Sequence, residues 1–324
     1  MILDLYVQMV LHSAVSALGV EALLVLWSVR EPAQRWRYRL LALLLPVLTV
    51  PAFRLLDPSW GSPAFRAGEA LFDSRRWLEL RVGGVTGRVA VMAVFATSTL
   101  GFFLQEVRPL IRELWQEKSP RRAPAEFPDL ASALASWRNI SPGESPAIEI
   151  IDAEEPMSKC KGGKHAAVVL SSGLLNRVDK KELLSILAHE GAHLRKRDHQ
   201  YGWALLFLRI LHAANPIGLL VFRKLGEENE NWCDDLSVAA TGDPLSLASA
   251  LVHVYRGTLT NDQHSLEWYR SGGRALGARA REAVIVARIE RLMKPRPAGS
   301  SRQLEPWRMG VAGVSLTTLL FRVV

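Results

Sequence analysis

The run Leu3–Trp27 contains no lysine or arginine and is long enough to cross a bilayer as a helix. Inside lipid no water reaches a backbone N–H or C=O, so a chain with such runs must build them as helices. Composition points the same way: 49% of residues are apolar and the mean hydropathy is +0.09. The apolar residues fall in blocks, at Leu3–Trp27, Leu40–Leu55, Val89–Leu104 and Met309–Val324. Pro46 and Pro51 interrupt the second block, and Arg54 is placed to snorkel at its end. Gln8, His12 and Glu21 lie in the first. Ionisable groups at that depth are functional candidates, although hydrogen bonding between helices is the plainer role for Gln8 and His12.

Charge orients these blocks. Arg30, Arg35, Arg37 and Arg39 make the first loop basic, so the positive-inside rule puts the N-terminus outside and this loop in the cytoplasm. Asp57–Gly84, with the amphipathic stretch Phe65–Leu80, is then external. Arg108, Arg112, Lys118, Arg121 and Arg122 follow the third block on the inner side. No positively charged leader with a small-residue cleavage site precedes the first block, so no cleavable signal peptide is expected. The net charge of +8 is juxtamembrane and interfacial in this reading. The aromatic-basic pattern of a nucleic-acid module is missing, so direct nucleic-acid binding is not expected. Cys160 and Cys233 are the only cysteines, which fits a reducing compartment without a disulfide framework.

The chemistry lies in Leu183–His199, which contains His189-Glu190-Gly191-Ala192-His193, an H-E-x-x-H pattern. Four residues apart on a helix is one face, so both imidazoles can meet at one point, and two neutral imidazoles suit Zn²⁺. Glu190, one step round, is placed to take a proton from a water there. The surroundings are helical: Asp179 and Glu182 form a D-x-x-E capping box, Leu183, Leu184, Ile186 and Leu187 make an apolar face, and Arg195, Lys196 and Arg197 close the last turn. A catalytic zinc needs a third protein ligand and an open position. Glu230 begins an E-x-x-x-D pattern with Asp234, whose carboxylate can hold a ligating histidine by its other nitrogen. Taken alone the same acids are a solvated helix face; the upstream motif makes Glu230 the third-ligand candidate. Core packing is the expected role of Cys233.

The rest of the chain is organised around these segments. Ser119–Pro128 is a linker, and Leu130–Trp137 a short helix. Ala147–Ile151 and Ala166–Leu170 are expected as two strands joined by a turn at Lys159–Lys164, with an open edge able to pair with an extended peptide. Tyr201–Phe222 cannot be a crossing, since that would part His193 from Glu230. Arg209, His212, Asn215 and Pro216 make it a broken helical pair instead. His199 and His212 are candidates for stabilising an oxyanion, with structural roles the plainer account. Leu245–Tyr255 and Arg274–Met293 are further helices. The expected domains are a transmembrane region at 1–118 (spans near 3–27, 40–55 and 89–104), a cytoplasmic zinc metalloprotease domain at 119–294, and a linker with a last transmembrane helix at 295–324. The fold class is a mainly α-helical integral membrane protein with a small α+β metalloprotease domain.

The stretch AVVLSSGLLNRVDKKELLSILAHEGAHLRKRDH, then ENENWCDDLSVAATGDP and ARIERLM, resembles the membrane zinc metallopeptidases typified by the BlaR/MecR receptors. The resemblance implies a gluzincin site with His189, His193 and Glu230 as Zn²⁺ ligands, Glu190 as general base and Asp234 behind a ligating histidine. It implies regulated proteolysis at the cytoplasmic face of a bacterial inner membrane, the substrate being a protein such as a transcriptional repressor or the chain itself. Such receptors continue into an extracellular penicillin-binding sensor, whereas this chain stops at Val324, so beta-lactam sensing is not expected of it. Gly191 stands where a larger apolar residue is common. The alternatives are an HtpX-like quality-control protease, which shares both motifs, and a signalling scaffold with a structural zinc, which would want a fourth ligand.

Overall fold

The computed structural model describes residues 2–108, 121–141, 147–161, 166–196, 198–262, 271–294 and 306–324. In chain order these form α1 (Ile2–Leu26), α2 (Pro32–Leu56), α3 (Pro63–Gly68), α4 (Ser74–Glu79), the hairpin β1 (Arg81–Val82) and β2 (Val85–Thr86), and α5 (Gly87–Phe102). Next come β3 (Arg121–Arg122), α6 (Pro128–Ile140), β4 (Ala147–Ile151), β5 (Ser158–Lys161), β6 (Ala167–Ser171), α7 (Ser172–Leu175) and α8 (Lys180–Arg195). The last are α9 (Asp198–Leu211), α10 (Pro216–Thr241), α11 (Pro244–Asp262), α12 (Ser271–Met293) and α13 (Pro306–Phe321). Two compact units result: Met1–Gln116 with Ala204–Asn229 and Ser301–Val324, and Glu117–Trp203 with Glu230–Ser300. Residues 204–229 thus fall in the first unit, whereas the sequence reading puts 201–222 with the peptidase segment.

In the first unit, α1 and α2 are long and apolar enough to cross a membrane, while α5 and α13 have 16 residues each. Helix α2 starts at Pro32, eight residues before the expected Leu40, and keeps Pro46 and Pro51 inside it. The arginines of its first turns explain the extra length, because they are partnered rather than looped out. Arg39, buried, pairs with Glu21 at 3.0 Å and with Glu228, and Arg35 lies 2.6 Å from Glu228. The core gathers Val20, Leu24, Leu43, Phe53, Leu316 and Leu320. His12 is fully buried, its Nε2 2.9 Å from the Val323 carbonyl and its Nδ1 3.2 Å from Thr49 Oγ1, a helix-to-helix bonding role. The amphipathic stretch Phe65–Leu80 divides into α3 and α4.

The break between α9 and α10 is closed by side chains. Asn215 Nδ2 donates to Ser13 Oγ at 2.7 Å, and its Oδ1 accepts from the amides of Ile217 and Gly218, capping α10. Tyr6 donates to the Ala214 carbonyl at 2.9 Å, and His212 Nε2 lies 3.0 Å from the Leu43 carbonyl. Backbone groups freed in an apolar bundle must be met in this way.

The second unit is built on a sheet of order β3-β4-β6-β5, with β4 parallel to β6 and the outer strands antiparallel. Here the sequence reading is corrected: Lys159–Lys161, taken as the start of a turn, form a strand with Ser158. The open edge nearest α8 therefore belongs to β5 and not to β6, which is interior. Residues 162–165 of the expected turn lie outside the described residues. The core joins Leu130 and Trp137 of α6, Ile150, Val168 and Leu170 of the sheet, and Leu183 and Leu187 of α8. Asp179 and Glu182 cap α8 reciprocally, at 2.8 and 2.9 Å. Gly191 has a specific partner: a Cβ there would stand 2.6 Å from Trp137 Cζ2, so the indole occupies the place of its missing side chain.

Candidate metal centre

Helix α8 presents His189 and His193 one turn apart, their rings 5.1 Å between centroids. Helix α10 presents Glu230 and, one turn on, Asp234. His189 Nε2 is 3.5 Å from Glu230 Oε2, and His193 Nε2 is 3.6 Å from Glu230 Oε1. One ligand atom from each of the three residues lies within 4.8 Å of the others. Among the described residues no fourth histidine, cysteine or acid joins this group. Two imidazoles and one carboxylate converging with a side left over is the donor set of an open zinc site, so the residues fit the ion.

Each ligand has a neighbour behind it. Asp234 Oδ1 is 3.0 Å from His189 Nδ1, so the ring is held with Nε2 toward Glu230. Cys233, fully buried, places Sγ 3.4 Å from His193 Nδ1 and 3.6 Å from Lys196 Nζ. It packs in the interior, as expected, and also touches the far nitrogen of a ligand candidate. Glu190 is buried beside the pair, and its Oε1 accepts a 2.8 Å hydrogen bond from the Ser158 hydroxyl on β5. Ser158, His189, Glu190, Glu230 and Arg288 line one cavity of about 180 Å³, whose apolar wall includes Ile186, Leu247 and Leu251.

Electrostatically the site favours positive charge. Burial works against protonation of His189, but Asp234 and Glu230 at its two nitrogens outweigh it and push its pKa up to about 9. Burial likewise opposes the charge on Glu230, yet His189, Arg288 and His193 bring its pKa down to about 2. Asp234, despite burial, is held well below the usual carboxylate range by His189 and Arg288. A pocket whose acids stay ionised and whose histidine attracts a proton is one that a divalent cation would also favour.

Two contributors lack an obvious sequence signal. Ser158 sits in Ser-Lys-Cys-Lys, whose alternating exposure is a strand's period of two, hidden by the charges and the following glycines. Arg288 comes from α12 and contacts both Glu230 and Asp234; it lies in the ARIERLM stretch that carries part of the resemblance, but nothing in its spacing assigns it a role at the site. Of the oxyanion candidates, His212 is bonded within the first unit, and the His199 side chain lies outside the described residues.

Residues 152–258 match the family model described as BlaR1 peptidase M56. The Protease HtpX homolog of Acidiphilium cryptum (strain JF-5) is 37% identical over 166 residues, covering 40% of this chain and 57% of that protein. The Protease HtpX homolog of Burkholderia mallei (strain SAVP1) is 24% identical over 208 residues, covering 54% of this chain and 72% of that protein. The alignment thus spans little more than half the length of the first of these relatives. The H-E-x-x-H helix and the acidic turn at Glu230 both fall inside the matched segment, so the part of the chain that carries the candidate site is the part similar to the BlaR1 peptidase M56 family.

Proposed function

We propose that the protein is a membrane-anchored, zinc-dependent endopeptidase whose site faces the cytoplasm, with a protein substrate. The observation carrying this reading is the convergence of His189, His193 and Glu230 within 4.8 Å beside a buried Glu190. His189 and His193 would hold the ion through Nε2 and Glu230 through its carboxylate. Zinc held there supplies Lewis acidity, making a water more acidic and a peptide carbonyl more electrophilic. Glu190 accepts the proton of the attacking water and returns it to the leaving amine. Ser158 occupies one oxygen of Glu190, which fixes the carboxylate plane and leaves the other for that proton. The outer strand β5 offers an extended substrate a backbone edge next to Glu190. The wall of Ile186, Leu247, Ala250, Leu251 and Val254 favours an apolar residue next to the cleaved bond.

Glu190→Gln should retain zinc at one ion per chain and lose about 10²–10⁴-fold in cleavage. Cleavage at the parental rate would reject the assignment of the base. A structural zinc in a signalling scaffold is the reading from another class; tightly bound zinc with no turnover of any substrate would favour it. The names of the two relatives favour quality control over receptor-type signalling. Trapping with Glu190→Gln in native membranes separates these: many misfolded membrane proteins for the first, one regulatory protein or the chain itself for the second.

A further inference from the structure

We infer that Arg288, with Arg291 one turn on, positions the metal centre, so that α12 is part of the site although it lies outside the 152–258 segment that matches the peptidase family. This rests on the zinc reading above. The Asp234 side chain is 0% exposed, and an ionised carboxylate so buried requires a paired countercharge. Arg288 supplies it as a fork: Nε lies 2.9 Å from Oδ2 and Nη2 2.7 Å from Oδ1. The remaining arm, Nη1, reaches Glu230 Oε2 at 3.1 Å. One rigid plane thus holds together two carboxylates, a helical turn apart, that would otherwise repel each other.

The atoms it touches matter. Oδ1 of Asp234 is the oxygen beside His189 Nδ1, and Oε2 of Glu230 is the oxygen beside His189 Nε2. The guanidinium therefore contacts an oxygen at each side of the His189 ring and sets its tilt through both. A lysine could carry the charge but not the two-sided geometry. Arg291, three residues along and hence on the same helix face, donates to the Asn231 carbonyl at 2.6 Å and lies 2.7 Å from Asp235. Together the two arginines clasp the turn of α10 that carries Glu230 and Asp234.

The test uses the full-length protein in detergent, stripped of metal, with zinc titrated against a chromophoric chelator and the thermal midpoint of the metal-free form measured alongside. Arg288→Lys should keep the metal-free midpoint near the parent and lose about 10–100-fold in zinc affinity. Arg288→Gln should lose at least as much affinity, and Arg291→Gln a smaller amount in the same direction. An Arg288→Lys variant that binds zinc as the parent does would overturn the inference, because charge alone would then suffice. So would a loss of cleavage at unchanged zinc affinity, which would move Arg288 to the substrate. A parent chain that takes up no zinc is a separate result, and it removes the metal reading underneath.

Discussion

At the scale of single residues, a metal taken up at His189 would have to displace a proton. Its folded pKa of about 9 stands above the ordinary 6.5. In the metal-free protein its contribution to stability is therefore full below pH 6.5 and is lost as pH rises through about 9. A metal needs the neutral ring, so binding at pH 7 displaces that proton. Zinc affinity of the metal-free protein should climb between about pH 6.5 and 9, and calorimetry in buffers of different ionisation enthalpy at pH 7 should register about one proton released from His189. A flat affinity across that window would mean that His189 is already neutral. Ser158 makes a separate prediction. Losing its bond to Glu190 should lower kcat by about tenfold in Ser158→Ala, a part of the roughly 10²–10⁴-fold that a positioned general base contributes, with zinc content unchanged; a parental kcat would show that Glu190 is fixed by other means. His189, Glu190, His193, Glu230 and Asp234 were legible because helical spacing binds each pair at four residues or next door. Ser158 was not, and Arg288 was visible only as part of a resembling stretch without a role, since only tertiary pairing brings the two to the site.

At the scale of elements, α8 is placed by its contact with α6, and Gly191 is the tightest point of that contact. With the Cβ position 2.6 Å from the Trp137 ring, Gly191→Ala forces either the indole or α8 to shift. Overpacking of this kind costs about 1–3 kcal/mol, more than alanine's higher helix propensity returns. The thermal midpoint should fall in Gly191→Ala, and Trp137→Phe should recover part of the loss when combined with it, a favourable coupling in a double-mutant cycle. Additive effects would show that the two residues do not share this space. The start of α8 could be read from the sequence because a capping box is local: Asp179 and Glu182 name their own partners. The start of α2 could not. Its arginines resemble a cytoplasmic loop until Glu21 and Glu228 are seen to receive them. Strand β5 failed for a related reason, because lysines at alternate positions beside paired glycines have the composition of a turn although their period is that of a strand.

At the scale of the whole molecule, contacts within the first unit set the direction of its helices relative to one another. Helix α13 has only 16 residues, yet Arg308 near its start stacks over Trp27 at the end of α1. Past its far end, residues 322–324 pair with the segment after α2: Leu71 N donates to the Arg322 carbonyl at 2.8 Å and Ser74 N to the Val324 carbonyl at 2.7 Å. It therefore runs from the level of the α1–α2 turn to the level of the segment following α2, the same traverse that α2 makes. Glu228, two residues before Glu230 on α10, is bound by Arg35 and Arg39 at the start of α2. We propose, from the arginines of the α1–α2 turn, that this turn and the Glu228 it binds lie at the cytoplasmic face. Single cysteines decide the matter in a Cys160→Ser background, where the remaining Cys233 is buried. In spheroplasts a membrane-impermeant maleimide should label Ser59→Cys, exposed after α2, and should reach Ser28→Cys, exposed in the α1–α2 turn, only once the membrane is opened. The opposite labelling pattern would put the α1–α2 turn, and the Glu228 bound to it, outside the cytoplasm. The proposal of a cytoplasmic substrate would then fail, because Glu230 follows Glu228 in the chain by only two residues.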